Sequence, residues 1–211
     1  MQKSFAFQLP SSASKTLSAV GRVPSGSNQV AAFLGGVPRV GFTGSRSSFS
    51  QAAFSCGVFL RSFSPMLSKL EIGVGCAKGV DQLVRSAFPS ANVFRVQSPV
   101  SRSAFAARSA RLVQWVVAGQ GLLIAFPNVP APSKLRASSQ FRGFGSGSWG
   151  SVALALGLGG AVLVVLPASV SPPGAPFPGP IAIVTRFVFV GESPCGGSFW
   201  FAEPVEQIAR K

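Results

Sequence analysis

The sequence contains no histidine and no tyrosine, and its only carboxylate side chains are Glu71, Asp81, Glu192, Glu203 and Glu206. Each shortage removes a class of chemistry. Without imidazole there is no Ser-His-Asp or Cys-His relay, no histidine-bearing zinc site and no histidine general acid or base. Five acids scattered over 211 residues argue against the paired carboxylates of a glycoside hydrolase. Cys56, Cys76 and Cys195 are odd in number, form no C-x-x-C and lack the partners of a metal site. They read as free or buried thiols of a reducing compartment. Neither a metal nor a cofactor is expected.

Charge of any sign is scarce, 11% of residues against about 25% in an average globular protein, while the hydrophobic fraction of 47% is ordinary. Nineteen Lys and Arg against five acids give a net charge of +14. That excess repels itself and suits an anionic partner such as nucleic acid, a nucleotide or an anionic membrane. Nineteen Phe beside the missing Tyr and His also resemble depletion of codons with a central A, which would remove Asp and Glu as well. The charge therefore does not assign a function by itself.

The length fits one domain with appendages or two small domains. Residues 1–37 are rich in Ser, Gly and Pro, carry Lys3, Lys15 and Arg22, and contain no acid. They read as a disordered basic arm, and an acid-free, Ser-rich start also suits an organelle transit peptide. Otherwise a cytoplasmic location is expected. From residue 38 the text alternates short apolar runs with helix-length periodic segments, the pattern of a parallel sheet with crossover helices. Strands are expected at 39–43, 70–74, 92–96, 121–126 and 161–166, and helices at 50–63, 80–87, 103–118 and 149–158. The third helix has the clearest period, with Phe105, Leu112, Val113, Val116 and Val117 on one face and Arg102, Arg108 and Arg111 read as surface residues. Ser101 or Ser103 can cap it.

Residues 128–148 are too rich in Pro, Ser and Arg for helix or strand, and a loop this long is usually functional. It falls where a ligand would be covered. Residues 149–167 are apolar enough to raise a membrane-spanning helix. Gly157, Gly159 and Gly160 favour helix, tight turn and buried strand instead, so a membrane is not the expected partner. Beyond residue 167 a Pro-rich connector leads to 181–190 and 199–202, read as a small C-terminal β extension. The expected fold is thus a three-layer α/β domain with a parallel sheet of about five strands over residues 38–167.

Three glycine-bearing segments each follow an expected strand and precede an expected helix, the position where such sheets bind ligands. The first is Gly41-Phe42-Thr43-Gly44-Ser45-Arg46, in which Gly44 permits close backbone approach and Ser45, the following amides and Arg46 suit phosphate. The second is Gly73-Val74-Gly75-Cys76-Ala77-Lys78-Gly79-Val80-Asp81, and the third runs from Gly143 through Gly145, Ser146, Gly147 and Ser148 to Trp149 and Gly150. None is a Walker P-loop, and none gives the dinucleotide G-x-G-x-x-G with its following acid. Asp81 reads either as a partner for the positive end of its helix or as a hydroxyl acceptor for a ribose, and Trp149 as packing or as a base-stacking ring.

Taken in order, Val40-Gly41-Phe42-Thr43-Gly44-Ser45-Arg46, Gly75-Cys76-Ala77-Lys78-Gly79-Val80-Asp81, Ala106-Ala107-Arg108-Ser109 and Gly145-Ser146-Gly147-Ser148-Trp149 resemble the SLOG superfamily of Rossmann-like nucleotide-binding domains. That group includes the DNA-processing protein A family, which binds single-stranded DNA, and the lonely-guy cytokinin phosphoribohydrolases. The resemblance spans about residues 38–167. It implies that Gly44, Ser45 and Arg46 line a phosphate pocket, that Gly75, Ala77, Gly79 and Asp81 open the second helix beside it, and that Arg108 and Gly147-Ser148 complete it. Ser109 stands where the family has Asn, and Val152 stands near where the phosphoribohydrolases carry a catalytic Glu. The resemblance therefore implies a fold and a pocket rather than a reaction.

The expected function is binding of a nucleotide or nucleotide-derived phosphate ligand at the strand ends, with no reaction assigned. Single-stranded nucleic-acid binding is the alternative, in which the same loops hold a sugar-phosphate chain. A structural or filament-forming homo-oligomer built by strand addition is a second alternative.

Overall fold

The computed structural model describes residues 26–97, 100–133, 135–143, 145–170 and 186–203. Among them are five helices and seven strands: α1 (Gly26–Gly35), β1 (Arg39–Gly44), α2 (Gln51–Leu67), β2 (Glu71–Gly75), α3 (Val80–Ala87), β3 (Asn92–Phe94), α4 (Arg102–Ala118), β4 (Leu122–Phe126), α5 (Gly147–Gly157), β5 (Ala161–Leu166), β6 (Arg186–Glu192) and β7 (Ser198–Glu203). The chain is α/β, with one sheet in the order β3-β2-β1-β4-β5-β7-β6. Pairing is parallel from β3 to β5 and antiparallel for the last two strands. The sheet therefore has seven strands instead of five. The additional two are the C-terminal extension, joined to the edge of the parallel sheet through β7, which pairs with β5 from Leu166↔Ser198 to Val162↔Ala202.

Alternation along the strands sorts the core into two clusters. On one face Val40, Phe42, Ile124, Leu163 and Val165 pack with residues of α1, α2 and α3; on the other Leu123, Ala125, Val162 and Val164 pack with α4 and α5. The strands β4 and β5 are buried along their whole length, as expected of strands covered on both sides. Helix α5 is buried from Ser148 to Leu156 and so shows no polar face to betray a helical period. Gly159, at φ +82°, makes the turn into β5. Residues 149–167 are thus helix, turn and strand, and no helix among the described residues is long and apolar enough to cross a membrane.

Two caps hold helix starts as serine caps should: Ser50 accepts the Ala53 N–H and Ser101 the Ala104 N–H, each at 3.1 Å. Helix α2 runs through Pro65 to Leu67, four residues past the expected end, because a proline near a C-terminus forfeits one hydrogen bond without breaking the turns before it. Helix α1 lies inside the stretch read as arm. Val30 and Leu34 are fully buried, and Phe33 stacks on Phe201 at 4.1 Å, so the folded unit begins before residue 38. Residues 1–25, and the 171–185 and 204–211 parts of the C-terminal region, lie outside the described residues.

Candidate functional site

In an α/β sheet a crevice opens where neighbouring strands send their connections to opposite faces. Here that point lies between β1, followed by α2 on one face, and β4, followed by α5 on the other. A cleft of about 950 Å³ occupies it. Its walls are the loop after β1 (Gly44, Ser45, Arg46, Ser47), the first turns of α4 (Arg102, Ser103, Phe105, Ala106, Ser109), and the long loop leading to α5 with that helix's first residues (Asn128, Val129, Phe141, Gly143, Gly145, Ser146, Gly147, Ser148).

Five of the ten residues expected at the site line this cleft: Gly44, Ser45, Arg46, Gly147 and Ser148. Gly44 is required by space, since a Cβ there would lie 2.6 Å from Val80 Cγ2 and 2.9 Å from the Phe126 carbonyl oxygen. The Ser45 N–H is committed to the Phe126 carbonyl (3.1 Å), which extends the β1–β4 ladder, and the Ser47 N–H to Ser45 Oγ (3.2 Å). The amides at these two positions are thus already paired, and Arg46 carries the charge of this wall. Its guanidinium is exposed and rests on the Phe105 ring, 4.3 Å from the centroid. Opposite, α5 begins at the cleft with no side-chain cap on its first turn, because Ser146 Oγ pairs with Ser148 Oγ at 3.2 Å. Uncapped N–H groups at the positive end of a helix suit an anion.

The other five, Gly75, Ala77, Gly79, Asp81 and Arg108, do not line the cleft but form a buried brace beside it. Asp81 is 4% exposed and accepts hydrogen bonds from Arg108 Nη1 (2.8 Å) and the Ala77 N–H (3.1 Å). Arg85 donates to the carbonyls of Gly75 (2.6 Å) and Ala77 (3.0 Å). Arg108, read from the helical period as a surface residue, is 5% exposed, because it lies one turn before Leu112 on the inward face and finds the only aspartate of the chain. Gly75 makes room for this pair, as a Cβ would overlap both the guanidinium and the Asp81 carboxylate. Gly79, at φ +68°, lets the Val80 N–H reach the Ser45 carbonyl at 3.0 Å. The brace thus supports the β1 loop from behind.

Trp149 is fully buried, and its Nε1–H donates to the Val129 carbonyl at 2.9 Å. Of its two readings, packing is the one its burial fits. Cys56 lies in the core on α2; burial, with the Asp81 charge adding to it, pushes its thiol well above the ordinary range, so it stays protonated and unreactive. Asn128, Val129 and Phe141 come from the 128–148 loop expected to cover a ligand, whereas Arg102 and Phe105 were read only as members of the third helix. Glycine after a strand marks loops that bend sharply, and no glycine marks the β3–α4 connection, where Ser101 caps the helix and brings Arg102 and Phe105 to the site.

No carboxylate lines the cleft among the described residues. Val152 is fully buried within α5. Nor does any group of His, Cys, Asp and Glu among the described residues offer a metal site. Comparison of the chain with protein-family models, curated proteins and solved structures gives no match.

Proposed function

We propose that the protein binds a nucleotide or nucleotide-derived phosphate ligand in the cleft between the β1 and β4 ends, on a domain of Rossmann-like, SLOG type. The observation that carries this reading is the cleft's charge: Arg46 and Arg102 on one side, the uncapped start of α5 on the other, and no acid among the described lining residues. An anion meets attraction from both walls, while Phe105, Val129 and Phe141 supply apolar surface for the rest of the ligand. The parallel strand order suits a Rossmann-like domain, and the SLOG part of this reading rests on the resemblance of the glycine-bearing motifs in the sequence. The described lining residues supply cations, amides and apolar surface, which suit binding, and no reaction is assigned to them.

The first test is extraction of ligand from purified protein, with a raised 260/280 absorbance ratio resolved chromatographically into mononucleotide or polymer. The second is Arg46→Ala, expected to weaken a phosphate ligand by about 1.5–3 kcal/mol, the range for a charged hydrogen bond. Unchanged affinity by calorimetry removes Arg46 from the site.

One observation favours the alternative ligand, single-stranded nucleic acid. Phe49, fully exposed, and the half-exposed Val129 lie at the same strand ends, on loops joined where Asn128 Oδ1 accepts the Ala52 N–H at 3.4 Å. An exposed ring on the loop that carries Arg46 suits a stacked base. A polymer would show log affinity falling with log salt by about 0.7 per neutralised phosphate, and Phe49→Ala would weaken it while sparing a mononucleotide.

A further inference from the structure

Helix α4 turns one stripe to the cleft: Arg102, Phe105, Ala106 and Ser109 recur at i, i+3, i+4 and i+7. Burial deepens along it, from exposed Arg102 through half-buried Phe105 and Ala106 to Ser109, which is 8% exposed. A buried serine within a helix can bond the carbonyl one turn back, as Ser151 of α5 does to Gly147 at 3.0 Å. The Ser109 hydroxyl makes no such bond, nor any other among the described residues. Ser45, Ser103, Ser146 and Ser148, on the same cleft, all have partners for theirs. Ser109 is thus a donor held deep in the cleft wall with nothing in the protein to receive its proton, and a buried polar group in that state calls for a partner from outside.

The acids stand elsewhere. Asp81 is held by Arg108 in the brace, and Glu71, at the opposite strand ends, pairs with Arg39 at 2.9 Å. Glu192 and Glu203 are on the outer hairpin beyond β5, and Glu206 lies outside the described residues. Magnesium that accompanies a nucleotide is ordinarily held by one or two carboxylates as well as by the phosphates. We propose that the cleft takes the phosphate end of its ligand bare, with no divalent cation, and that the Ser109 hydroxyl donates to it. This rests on the phosphate-ligand reading above. Arg46, Arg102 and the uncapped start of α5 meet the full negative charge directly. Magnesium would set two further positive charges against these walls and would cover phosphate oxygens that Ser109 and the arginines are placed to reach.

The test is calorimetric titration of the full chain with inorganic pyrophosphate and with ADP, each in EDTA and in excess magnesium at matched ionic strength. One site per chain is expected, weaker in magnesium by about fivefold or more, the worth of one pair of unit charges at about 4 Å in water. Ser109→Ala, a change that favours a helix, should weaken both probes about tenfold, the low end for a hydrogen bond to a charged group. Its circular dichroism spectrum and denaturation midpoint should be retained, and the magnesium comparison on the unchanged chain stands whatever the variant does. Affinity that magnesium leaves unchanged or raises would overturn the proposal while leaving the phosphate reading in place, and so would folded Ser109→Ala protein of undiminished affinity. If neither probe binds in either buffer, the phosphate reading falls and the proposal with it.

Discussion

Two glycine-bearing loops flank the region of the cleft, and they use the same residue for opposite ends. In the loop from Gly75 to Gly79, an added Cβ has nowhere to go: it would strike the Arg108–Asp81 pair at Gly75 and the backbone of Ser45 and Arg46 at Gly79. In the loop from Gly143 to Gly147, an added Cβ would meet nothing within 4 Å at Gly143, Gly145 or Gly147. The first loop is a filled brace; the second is an open wall. Glycine after a strand therefore signals two different things, a tight fit behind a site or clear backbone in front of one, and only the neighbours decide which.

The comparison breaks most easily at Gly75. Gly75→Ala should displace a buried ion pair, and because an uncompensated buried charge costs about 3–5 kcal/mol, the denaturation midpoint should fall sharply with little change in slope. Asp81→Ala should cost a similar amount by leaving Arg108 unpaired. The Asp81→Ala, Arg108→Met double variant should cost clearly less than the sum of the two single changes, the mark of groups acting on one another. Additive losses would mean that the pair is not the element being disturbed.

Gly145→Ala sharpens the contrast. Its backbone is left-handed, φ +79°, but its surroundings are empty, so the cost should be that of the conformation alone, about 1–2 kcal/mol. Gly147→Ala, helical and unobstructed, should be the mildest, from neutral to about 1 kcal/mol stabilising through the unfolded chain. If Gly147→Ala destabilises as much as Gly75→Ala in chemical denaturation, the two loops do not differ as described.

What the sequence made legible follows from what each signal measures. Apolar runs bounded by glycine located β1, β2, β4 and β5 within a residue or so, and α3 at residues 80–87, because burial on both faces of a parallel sheet writes itself into composition. Helix α1 was hidden by the Ser and Gly around it, although Val30, Phe33, Leu34 and Val37 do fall at helical spacing. Composition averaged over a long window outweighed a short period. At the site, the β1 loop was readable as a strand-end turn, and the α5 start as glycine and serine just before an apolar run of helix length. The inward turn of Arg108 was not, since a helical period marks the buried face by its apolar members and cannot announce that a cation will be buried with a carboxylate from another element. The seven-stranded order was equally beyond reach, because where a hairpin docks depends on an edge that local sequence does not describe.

The three tryptophans stand at three separate stations of the molecule. Trp149 holds the cleft loop through Val129, Trp115 lies under the Arg39 guanidinium at 4.5 Å near the opposite ends of the strands, and Trp200 faces Phe189 on the outer hairpin. Indole emission depends on hydrogen bonding and on nearby charge, so each ring is a built-in optical probe of one event. With single-tryptophan variants, a ligand entering the cleft should shift the light from Trp149, loosening of the outer hairpin should shift that from Trp200, and Trp115 should stay constant as the internal reference.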